Sequence, residues 1–174
     1  MANTWHSSAQ AIAYAANKSM LDVFNATASA RVIRVYRAWL FNNGTASVTG
    51  VLNQARINII TAASAGTAVT PVTHDTGNSA LNANTTSGHN RTVTAANILR
   101  QIIHSPDEPT VTTLDWDAIG TLVPFAEWWN SGYADANIQP ITCRNGENRG
   151  LNISSITQTV GTADLEIEFT DSAT

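Results

Sequence analysis

The stretch Asp164-Leu165-Glu166-Ile167-Glu168-Phe169-Thr170 decides the fold class, because its side chains alternate in polarity. The apolar residues take the odd positions, and the acidic residues take the even positions. Successive side chains of a β-strand point to opposite faces of its sheet, so this pattern is typical of a strand with one buried face. The C-terminal region is therefore predicted to form a strand that borders the core.

Two more strands are predicted upstream. The stretch RVIRVYRAWLF, Arg31–Phe41, is rich in β-branched and aromatic residues and ends at the turn signal Asn42-Asn43-Gly44. Helical spacing fits this stretch as well, but its residue types and short length favour a strand. Residues 48–61 alternate with period two, so residues 42–47 are predicted to be the loop of a hairpin.

Short strands separated by turns also fill the C-terminal region. Ile138–Cys143 is predicted to be an edge strand, because Pro140 has no backbone N–H to donate to a neighbour. Leu151–Thr159 is predicted to be another strand, and residues 160–163 form the tight turn that follows it. Together these strands indicate a mainly β domain over residues 31–174, either a β-sandwich or a jelly-roll-like fold.

Three segments depart from this strand pattern. Residues 1–30 have scattered apolar residues and are predicted to be an N-terminal arm or edge segment. Residues 62–91 are rich in small polar residues and are predicted to be a long loop with one short strand at 69–75. Residues 93–104 carry apolar side chains at helical spacing behind Thr94, an N-cap residue type, and are predicted to form one short helix.

The composition is low in charge. Only 13% of the residues are charged, about half the usual share, and Lys18 is the only lysine. A formal net charge of -4 and a pI near 5.4 argue against nucleic acid as a partner, since binders of nucleic acid use basic side chains on phosphates. Such a surface fits one that is partly covered by other protein, and compositional drift explains it equally well.

The sequence also predicts a cytosolic site of assembly. The start, Met1-Ala2-Asn3-Thr4-Trp5, has neither the basic residues nor the apolar segment of a signal peptide. No apolar run approaches the roughly 20 residues that span a membrane, so no membrane partner is expected. Cys143 is the only cysteine, which excludes a disulfide within the chain and a site built from several cysteines.

A search for chemistry-bearing motifs predicts no catalytic residue, no cofactor and no metal site. The four histidines lack ligand spacing, and His74-Asp75 reads as the polarity of a loop. No nucleophile elbow, phosphate loop or dinucleotide fingerprint occurs. Asp115 and Asp117 could serve a hydrolase as paired carboxylates, but Asp residues more often cap turns. The chain is therefore predicted not to be an enzyme.

With no catalytic or metal site predicted, the arginines and tryptophans are the best candidates for residues that contact a partner. Counted along a strand, Arg31 and Arg37 share one face and Arg34 takes the other. These arginines need acidic partners, for which Glu166 and Glu168 or acids of another subunit are the candidates. Arg and Trp are also favoured at protein interfaces. The interface candidates are Arg31, Arg34, Arg37, Trp39, Trp116, Trp128 and Trp129.

The chain resembles the decoration (cement) proteins of tailed bacteriophages, which sit on the outside of icosahedral heads. Four stretches carry the resemblance: Met1-Ala2-Asn3-Thr4, Arg31–Phe41, Gly146-Glu147-Asn148-Arg149-Gly150-Leu151-Asn152-Ile153, and Asp164–Thr170. These stretches hold about a sixth of the chain, and the long 62–91 segment and the Trp-rich 116–129 segment lie outside them.

The resemblance implies a jelly-roll virion subunit, usually a trimer, docked at three-fold positions of the capsid surface after assembly in the host cytoplasm. Its partner would be the major capsid protein, and it would stabilise the head by bridging neighbouring capsid subunits. Contacts would come from residues 1–30 and 62–91, and the trimer core from Trp39, Trp128 and Trp129.

Two other functions are consistent with the residues. A carbohydrate- or receptor-binding accessory domain of a virion or tail would present Trp116, Trp128 and Trp129 to sugar rings. A small hydrolase would instead open Asp115 and Asp117 onto one cleft.

Overall fold

The computed structural model describes residues 2–43, 53–104, 125–130, 139–156 and 161–173, with only the backbone described at 42–43, 53, 102–104 and 125–130. These residues form two six-stranded antiparallel sheets. The strands are β1 (Asn3–Ala13), β2 (Ser19–Asn25), β3 (Arg31–Asn43), β4 (Asn53–Ser64), β5 (Thr67–Val69), β6 (Val72–Thr73), β7 (Thr85–His89), β8 (Thr92–His104), β9 (Phe125–Asn130), β10 (Ile141–Cys143), β11 (Arg149–Ser155) and β12 (Thr162–Ala173). A single 3-10 turn, Thr27–Ser29, precedes β3.

Strand pairing is nested from the two ends of the chain. The first strand, β1, pairs with the last, β12, and β2 pairs with β11. Further in, β3 pairs with β10 and β9, and β4 pairs with β8. The order β10-β3-β12-β1-β6 makes the first sheet, and β5-β7-β2-β11-β4-β8 makes the second. A long antiparallel pairing rolled into two facing sheets is the connectivity of a jelly roll, so the predicted fold class is confirmed.

The core lies between the two sheets. Leu165, Ile167 and Phe169 of β12 are fully buried, as the alternating sequence requires. The second sheet supplies Leu151 and Ile153 from β11 to the same cluster. Because β12 lies between β1 and β3, its apolar face sits at the centre of the first sheet, where burial is greatest.

Several predicted strands are confirmed. Arg31–Phe41 lies within β3, and the predicted strand at 48–61 corresponds to β4 within the described part of the chain. The short strand β10 follows Pro140 directly and lies at the end of its sheet, in keeping with the edge prediction. The structure does not describe residues 44–52, 105–124, 131–138 and 157–160. The turn predicted at 160–163 therefore lies partly outside the described residues.

The predicted hairpin between the Arg31–Phe41 strand and the 48–61 strand is wrong. The two strands, β3 and β4, belong to different sheets, so the chain crosses from one sheet to the other between them. A turn signal identifies where a strand ends. It does not identify whether the next strand pairs with the one before it, which depends on pairing over long sequence distances.

The predicted helix at 93–104 is also wrong, because these residues form β8. The strand pairs with β4 from Asn53 opposite His104 to Ser64 opposite Thr92. Its register shifts at three places, and Leu99 and Ala96 are extra residues that no residue of β4 faces. Each extra residue interrupts the alternation of faces, so apolar residues recur at spacings that imitate a helix.

Residues 1–30 are not an arm or edge segment in the structure. The strand β1 lies between β12 and β6, and β2 lies between β11 and β7, with every residue of β2 buried. Residues 62–91 likewise form β5, β6 and β7, which extend both sheets. The flanking strands on both sides supply the hydrogen bonds and packing that the local sequence pattern does not reveal.

Shortening a side chain at the centre of β12 should destabilise the fold strongly. Ile167→Ala removes fully buried methyl groups, and we expect a loss of about 2–5 kcal/mol in the free energy of unfolding, measured by urea denaturation. The matched control is Ile98→Ala, because Ile98 is 55% exposed on β8 and its loss should change that free energy by about 0.5 kcal/mol or less. Equal losses in the two variants would contradict the placement of the core.

Candidate functional site

A β-bulge in β3 determines which arginines share a face. Arg37 lies opposite Glu168 of β12, but the next paired position is Val35 opposite Phe169, so Tyr36 is an extra residue. On both sides of this bulge the apolar residues remain buried. The bulge therefore turns Arg34 and Arg37 to the same outer face. The prediction that Arg31 shares a face with Arg37, opposite to Arg34, is wrong because it counted straight through the bulge.

Arg31 instead lies at the end of the sandwich. Its Nε atom is 3.7 Å from Oδ1 of Asp171, a residue that is 3% exposed. Burial raises the pKa of the Asp171 carboxyl, and the positive charge of Arg31 opposes that increase. This ion pair links β3 and β12, two neighbouring strands of the first sheet, so Arg31 has a structural role.

The outer face of the first sheet carries an aromatic and charged cluster, which we call the outer patch. Its residues are His6, Arg37, Trp39, His74, Glu166 and Glu168. The Trp39 ring stacks on the His6 ring at 6.4 Å between centroids and 16° between planes. The Arg37 guanidinium lies 5.6 Å from the centroid of the Trp39 ring. His74 extends the cluster, with its ring 6.1 Å from that of His6.

Two carboxylates of β12 hold this patch in place. Oε2 of Glu166 is 3.6 Å from Nε2 of His6, and Oε2 of Glu168 is 4.0 Å from Nη1 of Arg37. These side chains remain partly exposed, so each pair contributes little to stability but limits the orientations of its members. The predicted partners of the arginines are thus confirmed for Arg37 and Glu168.

The outer patch has the chemistry of a protein-binding surface. A half-buried tryptophan loses little entropy on binding because neighbouring side chains already hold its ring. Arginine and tryptophan side chains are the most frequent contributors of binding energy at interfaces. Trp39 and Arg37 are adjacent in such a setting, on the exposed face of a β-sheet. Arg34 lies on the same face, where its Nη1 atom donates to Oγ of Ser172.

For the other predicted site residues, the structure describes only some positions. The backbone of β9 runs beside β3, with Trp129 opposite Ala38, while the side chains of Trp128 and Trp129 are not described. Trp116, Asp115 and Asp117 lie outside the described residues. Asp75 accepts a hydrogen bond from the backbone N–H of Gly77 at 2.8 Å, which agrees with the loop polarity predicted for His74-Asp75.

A second set of polar residues, the buried polar row, crosses the outer face of the second sheet. Asp22 of β2 lies opposite Asn152 of β11, and Asn152 lies opposite Asn58 of β4. Nδ2 of Asn58 donates to Oδ1 of Asn152 and to Oγ of Ser154. At the other end, Nη1 of Arg91 donates to Oδ1 of Asp22 at 3.0 Å. Burial without a hydrogen-bonding partner is unfavourable, so these contacts fix the row in one arrangement.

Arg91 reaches Asp22 because Gly88 lies beneath it. A Cβ atom at Gly88 would overlap the Arg91 guanidinium, so only glycine leaves room for the pair. The guanidinium also donates to Oγ1 of Thr86 and to the backbone carbonyl of Ser87. Sequence reasoning missed this pair because Asp22 lies in the segment expected to be an arm. The only signal was a lone Asp within Met20-Leu21-Asp22-Val23-Phe24.

Asp22 is the one carboxyl of the buried polar row as described, and its pKa is strongly raised. Burial raises the pKa of the Asp22 carboxyl, and the positive charge of Arg91 offsets only part of that increase, so the pKa is about 6. Within the described part of the chain, Oδ2 of Asp22 and Nδ2 of Asn152 make no hydrogen bond. The carboxylate is therefore less favourable in the fold than it is in water.

Among the residues that the structure describes, no three His, Cys, Asp or Glu side chains lie close enough together to hold a metal ion. Over the same residues, no helix is long and apolar enough to cross a membrane. Comparison with protein-family models, curated proteins and solved structures found no match for this chain.

The raised pKa of Asp22 gives a testable dependence of stability on pH. In the unfolded chain this carboxyl titrates near 3.8, whereas in the fold it keeps its proton up to about 6. The folded state therefore binds more protons in this interval, and its stability falls as the pH rises. Replacement by Asn removes this titration, so the free energy of unfolding of Asp22→Asn relative to that of the native chain should rise by about 2 kcal/mol as the pH goes from 4 to 7.

Urea denaturation of the native chain and of Asp22→Asn at pH 4, 5, 6 and 7 measures this difference. Asp171 and His89 titrate in both proteins, so their contributions cancel when the two curves are subtracted. Curves that run parallel over the whole interval would contradict the assignment to Asp22.

Proposed function

We propose that this chain is a structural binding protein of a virus particle, a decoration (cement) protein that docks on the outer surface of an assembled capsid. The observation that carries the proposal is the outer patch, in which Trp39 and Arg37 are held on the exposed face of a jelly-roll sheet. Jelly rolls occur in viral capsid domains and in lectins, and both kinds of protein act by binding.

The stretches that resemble decoration proteins support the proposal by their positions. Arg31–Phe41 lies in β3 and Asp164–Thr170 in β12, and these neighbouring strands carry Arg37, Trp39 and Glu166 of the patch. The Gly146–Ile153 stretch leads into β11 of the other sheet. On this proposal the major capsid protein is the partner of the outer patch, so Trp39 contacts the capsid and does not belong to the trimer core, where the resemblance alone places it. The subunit assembles as a trimer.

The proposed mechanism is stabilisation of the assembled state by selective binding. A subunit that binds two neighbouring capsid proteins together, and not either one alone, favours the closed shell by mass action. A surface with few charges suits this task, because it contributes little long-range repulsion between many bound copies. The proposal assigns no catalytic step and no cofactor to the chain.

Truncating Trp39 tests the proposal directly. We expect Trp39→Ala to weaken binding to emptied capsids by about 30-fold or more, since central tryptophans of interfaces contribute about 2 kcal/mol or more. Co-sedimentation of purified protein with emptied capsids over a range of concentrations measures the change. Leu99→Ala is the matched control, because Leu99 is an exposed apolar residue of the opposite sheet and should leave binding unchanged.

Two outcomes would overturn the proposal. One is native protein that does not sediment with the capsids. The other is a Trp39→Ala variant that is folded and binds as tightly as the native chain.

A further inference from the structure

A cavity of about 330 Å³ opens beside the buried polar row, on the side of the molecule away from the outer patch. Four parts of the chain form its walls: β4, the first half of β8, the end of β11 and the turn before β2. The lining residues that this inference uses are Asn17, Arg56, Asn58, Asn97, Ser154 and Ile98.

The cavity arises from the irregular register of β8. The extra residues Leu99 and Ala96 interrupt the pairing of β8 with β4 at the position of Asn58 and beyond. Ala95 and Ala96 line the space with small side chains and leave it unfilled. At the other wall, the backbone N–H of Asn17 donates to the carbonyl of Ser155 at 3.1 Å, and this bond fixes the turn. The backbone bonds of the β4–β8 pair and the bond between Asn17 and Ser155 therefore hold the two walls of the cavity in place.

Asn58 presents an unpaired polar atom to this cavity. The residue is 3% exposed, and its side chain uses Nδ2 for both of its hydrogen bonds to described residues. Oδ1 accepts no hydrogen bond from the described residues, although it belongs to a buried side chain that lines the cavity. An amide oxygen without a protein partner can accept a hydrogen bond from a ligand or from water. Asn58 therefore offers a fixed acceptor, held in one orientation by Asn152 and Ser154.

Arg56 supplies the positive charge of the described lining. Its Nε atom donates to Oε1 of Gln101 at 3.0 Å, and this bond restricts the orientation of a guanidinium that lines the cavity. The terminal nitrogens make no hydrogen bond within the described part of the chain, so they remain available as a two-pronged donor. Arginine in this state binds a carboxylate in preference to a neutral group.

The other lining groups favour hydroxyl groups as their partners. The amides of Asn17 and Asn97 and the hydroxyl of Ser154 each donate and accept hydrogen bonds, as sugar hydroxyls do. Val93, Ile98 and Ile156 provide an apolar wall for the C–H face of a ring. The volume corresponds to about ten water molecules, which suits one monosaccharide unit.

We propose that this cavity, between β4, β8 and the end of β11, binds an acidic monosaccharide unit such as a hexuronic acid. The carboxylate pairs with Arg56, and a ring hydroxyl donates to Oδ1 of Asn58. The site is separate from the outer patch, so it is independent of the proposed capsid contact. For a ligand of this size, the dissociation constant should be on the order of 1 mM.

The test is a titration of the full chain with D-glucuronate and with D-glucose, followed by chemical-shift changes in the protein spectrum. We expect glucuronate to bind at least about 5-fold more tightly than glucose, with the largest shifts at Asn58, Asn97 and Ser154. Arg56→Gln should abolish the preference for the acid. Arg144→Gln is the matched control, because Arg144 is exposed outside the cavity lining and its loss removes the same charge.

A filling variant tests the cavity itself. Ala95→Phe places a ring in the cavity from an exposed position of β8, and it should abolish binding of both sugars while the core shifts remain unchanged. The proposal is overturned if neither sugar shifts the native spectrum, or if Ala95→Phe binds as well as the native chain. It is equally overturned if Arg144→Gln loses the preference for glucuronate as fully as Arg56→Gln does.

Discussion

The alternation of side chains along β12 is the constraint on which the rest of the structure depends. Its odd-numbered residues, such as Ile167, close the core between the sheets, and its even-numbered residues, such as Glu166 and Glu168, hold the outer patch. The strand can do both because β1 and β3 pair with it on either side. A shift of one residue in this register would bury the carboxylates and expose the apolar side chains, so the register is strongly determined.

The low charge of the chain is connected to its second sheet. Two neighbouring strands of that sheet, β2 and β11, are buried on both faces, and polar side chains occupy their outer face. Neutral amides such as Asn58 and Asn152 can be buried there because they satisfy one another, whereas a row of charges could not be. Asp22 is the exception, and it depends on Arg91 and on the space above Gly88. The same row ends at the cavity, which Asn58 also lines.

The sequence was sufficient to predict the individual strands but not their partners. Asp164–Thr170 and Arg31–Phe41 show their strand character locally, through alternation and residue type. The extra residues Tyr36 and Ala96 cannot be seen in that pattern, because a bulge is determined by the partner strand. For this reason the arginines were assigned to the wrong faces and β8 was mistaken for a helix. The outer patch could be predicted only as separate candidates, since His6 and His74 join Trp39 through strand pairing over long sequence distances.

The central claim is that this jelly roll works as part of a larger protein assembly, with the outer patch as its contact. The most direct measurement is the sedimentation of the native protein as it is released from its natural source without denaturation. The account predicts that the chain sediments with a particle many times its own mass of 18.5 kDa, and that gentle dissociation releases it intact. A chain that sediments only as a free 18.5 kDa monomer would contradict the account.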